Sequence, residues 1–173
     1  MNRNRALAVL AAGLAISIVA HVANAAGAEA SKPAASQKAA ASREIDRGRY
    51  MVLTGHCNNC HTAGYIMKEG NVPEQQWLLG NPVGHRGPWG TTYASNLRLT
   101  VQNFTEEQWV RYAKALKARP TMPWWSFSTT TEQDLRAMYK FIKRLGPAGE
   151  PAKPFLPPGK EPSPPYEVRQ LVQ

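Results

Sequence analysis

Cys57-Asn58-Asn59-Cys60-His61 is where the chemistry of this 173-residue sequence concentrates, because it holds both cysteines of the chain. On a helical turn, positions three apart share one face. Two thiols on that face can add to the two vinyl groups along one edge of a porphyrin. The next residue, His61, then projects toward the ring centre and can give a nitrogen to iron. C-x-x-C-H is accordingly the attachment motif of a covalent haem, haem c. Two other chemistries use paired cysteines. A thioredoxin-like redox pair needs a strand–turn–helix setting and a βαβ pattern, and neither is legible here. A zinc site needs four ligands, usually from a second Cys/His pair. Downstream of the N-terminal region the chain adds only His56, His61 and His85, and His56 adjoins Cys57.

An iron held by His61 has a sixth position to fill. Met51 and Met138 fall on expected core helices, and Met67 follows His61 too closely to cross the ring. Met122 stands in Thr121-Met122-Pro123-Trp124-Trp125, between two expected helices. Pro123 stiffens that loop, and Trp124, Trp125 and Phe127 are available to wall a haem edge. His/Met ligation is the common arrangement in electron-carrying cytochromes c, so Met122 is the expected ligand. His85 is its rival, because imidazole also suits iron.

Three helices can position these groups. The first spans residues 43–53, with Ser42 as N-cap and Glu44 and Asp46 in its first turn. Ile45, Arg49, Val52 and Leu53 follow its period, with Gly48 on the same side. The second opens on the capping box Thr105-x-x-Gln108, with Phe104 and Trp109 at staple spacing, and is ended by Pro120. The third opens at Thr131-x-x-Asp134, carries Leu135, Met138, Tyr139, Ile142 and Leu145 on one face, and stops at Gly146-Pro147. Residues 62–103 lie between the first two helices and are rich in Gly, Pro and Asn. A loop that long inside a small domain makes sense if it wraps a large cofactor.

Both ends differ from this middle. Arg3 and Arg5, an apolar run over residues 6–20 and Ala23-Asn24-Ala25 describe a secretory signal peptide, residues 1–25. The run is shorter than the roughly 20 residues of a bilayer span, so export with no permanent membrane span is expected. Residues 26–41 are Ala, Ser and Lys and read as a flexible linker. The core domain is expected over 42–146. Residues 147–173 hold 8 of the 14 prolines and read as an extended tail, either solvated or anchored along the domain by Phe155, Leu156 and Tyr166.

Taken together, the chain resembles a monohaem class I cytochrome c. The likeness rests on Cys57-x-x-Cys60-His61 after an N-terminal helix, Met122-Pro123 before a C-terminal helix, and Gly48 where those helices would cross. It is similar more closely to cytochrome subunits and partners of periplasmic dehydrogenases, through Gly90-Thr91-Thr92-Tyr93-Ala94-Ser95-Asn96. The resemblance implies an all-α fold, three main helices and long loops around one covalent haem. It also makes Tyr93 and Asn96 candidate contacts to the haem propionates. A loop proline, Pro82 or Pro88, would accept the His61 Nδ1 hydrogen bond.

The expected function is periplasmic electron transfer by a non-enzyme, as a soluble carrier or as a dehydrogenase's cytochrome subunit. The alternative is a haem enzyme or gas-binding protein with an open sixth position. A hydrophobic fraction of 43% excludes a polytopic membrane protein and a fully disordered chain. The formal charge of +9 includes Arg111, Lys114, Lys117 and Arg119 ahead of Met122, which would suit a redox partner with an acidic docking surface. Nucleic acid is a poor alternative for an exported chain without a binding fold.

Overall fold

A computed structural model describes residues 33–170. The expected signal peptide and the first part of the expected linker lie outside the described residues. The described chain contains helices α1 (Ala34–Thr54), α2 (Cys57–His61), α3 (Leu97–Thr100), α4 (Glu106–Ala115), α5 (Trp124–Thr129) and α6 (Glu132–Leu145). Strands β1 (Gly84–Gly87), β2 (Gly90–Tyr93) and β3 (Tyr166–Val168) complete it.

The frame is the crossing of α1 and α6. A Cβ at Gly48 would lie 2.0 Å from the Ala137 carbonyl oxygen and 2.8 Å from the Phe141 Cβ. Glycine therefore lets the two backbones touch. Leu135, Ala137, Met138, Phe141 and Ile142 are the buried residues of α6. Ala137 and Phe141 turn toward α1 at Gly48, a second face beyond the single apolar stripe expected from the sequence. Ion pairs fringe the crossing, with Arg47 Nε 2.7 Å from Asp134 and Lys140 Nζ 2.7 Å from Glu44.

The expected caps hold. Thr105 and Gln108 form a reciprocal capping box on α4, and the Thr131 hydroxyl accepts the Asp134 backbone N–H of α6. Phe104 packs against Trp109 at 6.2 Å between ring centroids. Gly146 ends α6 at φ 72°, a left-handed value glycine adopts without strain.

Three expectations are corrected. First, α1 begins at Ala34 behind Pro33 as N-cap, so residues 34–41 are helical and do not form a flexible linker, and Ser42 lies inside the helix. These residues are fully exposed and carry no apolar face. Their alanines prolong a helix already nucleated downstream, through propensity alone. Second, α4 stops at Ala115, before Pro120, so Lys117 and Arg119 lie beyond the helix. Third, the fold is helical with a small sheet added, and is not all-α. The strand order is β2-β1-β3, with β1 antiparallel to β2 and parallel to β3. Each strand has only three or four residues, too few for alternation to show in sequence.

The sheet recruits the proline-rich C-terminal segment, which lies along the domain. Leu156 and Thr91 exchange backbone hydrogen bonds at 2.8 and 3.0 Å, and β3 pairs Tyr166 with Gly84. Arg98 holds the end of α6, from which this segment departs, donating through Nε to Gly146 O at 2.6 Å and through Nη2 to Leu145 O. Among the described residues, no helix is long and apolar enough to cross a membrane.

The crossing makes a direct prediction. Gly48→Ala forces overpacking against backbone, a change that typically destabilises by about 1–3 kcal/mol. Thermal unfolding of the purified variant should show a melting point several degrees lower. An unchanged melting point would contradict this packing.

Candidate functional site

The Cys57–His61 turn starts immediately after α1, across Gly55 and a left-handed His56 at φ 55°. One helical turn sets Cys57, Cys60 and His61 around one cavity of about 950 Å³. That is at the upper end of the roughly 300–1,000 Å³ usual for cofactor pockets. The turn is anchored from beneath. Thr62 Oγ1 donates to Asn58 Oδ1 at 2.8 Å and accepts from Leu78 N at 2.9 Å. His61 O accepts from Gly80 N at 2.8 Å.

The two cysteines are free of any disulfide. Burial pushes the Cys57 thiol up to about 11, so it is a neutral thiol at physiological pH. Thiolate-based redox or metal chemistry wants the opposite shift. Among the described residues, no group of three or more His, Cys, Asp or Glu could hold a metal ion by themselves.

His61 is buried, and its Nδ1 lies 2.7 Å from the Ser95 carbonyl oxygen. Nδ1 therefore carries the proton and donates it, which leaves the Nε2 lone pair for a metal. Burial also lowers the pKa of the imidazole, keeping it in the neutral ligand form. The acceptor corrects the expectation that Pro82 or Pro88 would take this bond. It is a backbone carbonyl held in place by α3, whose N-cap is the next residue, Asn96.

Met122 lies on the same cavity wall, half-buried. Its backbone N–H donates to Arg119 O at 3.2 Å, and its carbonyl accepts from Trp124 N at 2.8 Å. Met51 and Met138 also reach the wall, but both pack in the helical core, and Met122 does not. Met67 is 87% exposed. Phe127, Trp109 and Ile142 supply apolar wall, whereas Trp124 and Trp125 lie off it.

Tyr93 lines the cavity and Asn96 does not. Asn96 commits its side chain to the protein. Oδ1 accepts from Leu99 N at 3.1 Å, and Nδ2 donates to Ala148 O at 2.8 Å and Glu150 O at 3.2 Å. His85, on β1, is a cavity residue with neither ring nitrogen hydrogen-bonded. Glu167 lies 3.9 Å from Nδ1, and burial, with the Arg169 charge beside it, lowers the His85 pKa.

The wall carries Lys117, Arg119 and Arg169 and no Asp or Glu. Sequence inspection missed Arg169, because only the pairing of β3 with β1 brings it there. A haem bears two carboxylates, so a cationic rim without acids fits it. Thiols on one turn, a buried histidine with Nε2 unspent and an apolar floor fit it as well.

Comparison with known proteins agrees in kind. The chain is similar to the fructose dehydrogenase cytochrome subunit of Gluconobacter japonicus, 28% identical over 107 residues, covering 57% of this chain and 20% of that protein. It is similar to the cytochrome c subunit of the quinone alcohol dehydrogenase of Gluconacetobacter polyoxogenes, 29% identical over 122 residues, covering 63% of this chain and 24% of that protein. The corresponding subunit of Komagataeibacter europaeus matches equally. The chain thus spans only 20–24% of the length of these curated relatives. No family model matches the chain, and no solved structure does. These distant relatives support a cytochrome c family.

Asn96→Ala tests the structural role of that residue. Loss of the cap and of both bonds to 148–150 should destabilise the fold by about 0.5–2 kcal/mol on the cap alone. The absorption spectrum of the pigmented protein should not change. A changed spectrum with unchanged stability would restore Asn96 as a cofactor contact.

Proposed function

We propose that this chain is a periplasmic electron-transfer cytochrome that carries one electron at a time and serves a dehydrogenase. It would hold one haem c through thioether bonds to Cys57 and Cys60, with His61 and Met122 as axial ligands. The observation that carries the reading is the single cavity wall shared by Cys57, Cys60, His61 and Met122. A bound haem supplies one-electron chemistry at iron, and an axial Met raises its potential relative to a second imidazole. The chain does the rest. Ser95 O sets the His61 tautomer, and the α2 turn aligns both thiols on one face. Phe127, Trp109, Met138 and Ile142 exclude water from one side. Were His61 and Met122 both to hold the iron, substrate would have no open position on it, which would favour electron transfer over catalysis.

Charge pairing supports a docking face. Three of the four cations of α6 are paired with acids, Arg136 with Glu106 and Glu107, Lys140 with Glu44 and Glu106, and Arg144 with Glu74, while Lys143 donates to the neutral Gln102 Oε1 at 2.9 Å. Arg111, Lys114, Lys117 and Arg119 make no ion pair among the described residues. Two of them, Lys117 and Arg119, line the cavity that would hold the haem. An acidic surface on the redox partner would meet the uncompensated charge of Arg111 and Lys114, which lie off the wall.

Denaturing gels stained for haem peroxidase activity should show one band, which Cys57→Ala/Cys60→Ala abolishes. A band surviving in the double variant would sink the covalent assignment. Met122→Ala should open the oxidised protein to added imidazole and lower its potential. If His85→Ala does so and Met122→Ala does not, His85 is the ligand.

Electron exchange with the partner should slow as ionic strength rises. Arg111→Glu/Lys114→Glu, at positions off the cavity wall, should flatten that dependence with little change in potential. A rate indifferent to salt and to both substitutions would point to apolar docking.

A further inference from the structure

We infer that the proline-rich C-terminal segment is a strap that positions the Met122 loop, with Phe155 and Thr92 as the two tethers. The inference rests on the reading of Met122 as an axial ligand and adds residues to it that touch neither iron nor thiols.

The loop between α4 and α5 belongs to no helix or strand and turns at Pro120 and Thr121. Two contacts join it to parts of the chain distant in sequence. Thr92 Oγ1, on β2, donates to Pro120 O at 2.6 Å. The Arg119 guanidinium lies 4.0 Å over the Phe155 ring. Arg119 in turn accepts the Met122 backbone N–H, so both tethers act within three residues of the sulfur ligand.

Phe155 has to be held if it is to hold anything, and the chain fixes it tightly. Asn96 clamps 148 and 150, the Leu156–Thr91 exchange follows, and β3 pairs with β1. Gly90 shows how close the approach is. A Cβ there would lie 2.2 Å from Leu156 O and 3.1 Å from Phe155 Cε2, and its φ is +100°. Only glycine admits the strap at this point. The same hairpin thus carries Thr92 directly to the loop and Phe155 indirectly through the strap.

A thioether is a weak ligand to ferric iron, held in competition with added imidazole. A loop held in the ligating conformation lowers the population from which imidazole can displace the sulfur. Losing one tether should raise that population by an amount typical of one cation–π contact or one hydrogen bond, about fivefold.

The test is imidazole titration of the oxidised, haem-loaded full chain, followed by the Soret band. Phe155→Leu and Thr92→Val should each tighten imidazole binding about fivefold and weaken the far-red band of methionine-ligated ferric haem. Together they should exceed either alone. Phe155→Trp, which keeps an aromatic face under Arg119, should stay near wild type. Haem staining should be equal in all of them, since the thioether bonds are untouched. If Met122→Ala tightens imidazole binding while Phe155→Leu and Thr92→Val both bind as wild type, the strap has no positioning role and the ligand assignment survives. If Met122→Ala also binds as wild type, the ligand assignment fails and the strap's role falls with it.

Discussion

The 138 described residues surround a space of about 950 Å³, and this constraint shapes the rest of the structure. Protein interiors are otherwise close-packed. Side chains that a small domain would normally spend on one another, such as Trp109, Met138 and Ile142, here face the space. The helical frame compensates by packing as closely as backbone allows. At Gly48 the α1–α6 crossing has no room for even one methyl group. The long connection between α2 and α4 then wraps the space and supplies the Ser95 carbonyl at its edge.

Local signals in the sequence were the legible ones. Cys57-x-x-Cys60-His61, the Thr105–Gln108 box, the Thr131 cap and the Gly146 stop each act within a few residues, and each is found in place. Contacts made by backbone left no mark. The partner of His61 Nδ1 is a carbonyl that any residue can offer, so its position depended on the turn at Asn96 and not on a proline. The second face of α6 was hidden because Phe141 and Ala137 fall outside one helical stripe and matter only against Gly48. Residues 34–41 misled because an alanine-rich stretch without an apolar face serves equally as a linker or as a helix extension.

The C-terminal segment shows the same limit most clearly. Its prolines suggested extended chain, and extended it is, but three-residue pairing with β1 and a glycine-sized gap at Gly90 fasten it to the domain. That fastening delivers Arg169 to the cavity wall and Phe155 beneath Arg119. The electrostatics follow a similar logic. Acids pair with Arg136, Lys140 and Arg144 of α6 and are absent from the cavity wall, which leaves positive charge at the site and ahead of Met122.

The central claim is that Cys57 and Cys60 are consumed in holding one haem over His61. Intact-mass measurement under denaturing conditions, after treatment with a thiol-alkylating reagent, tests it most directly. The protein should be produced in a bacterium that matures c-type cytochromes. The account predicts the mass of the chain plus a single haem, with no alkyl group added. The bare chain mass with two alkylated cysteines would contradict it.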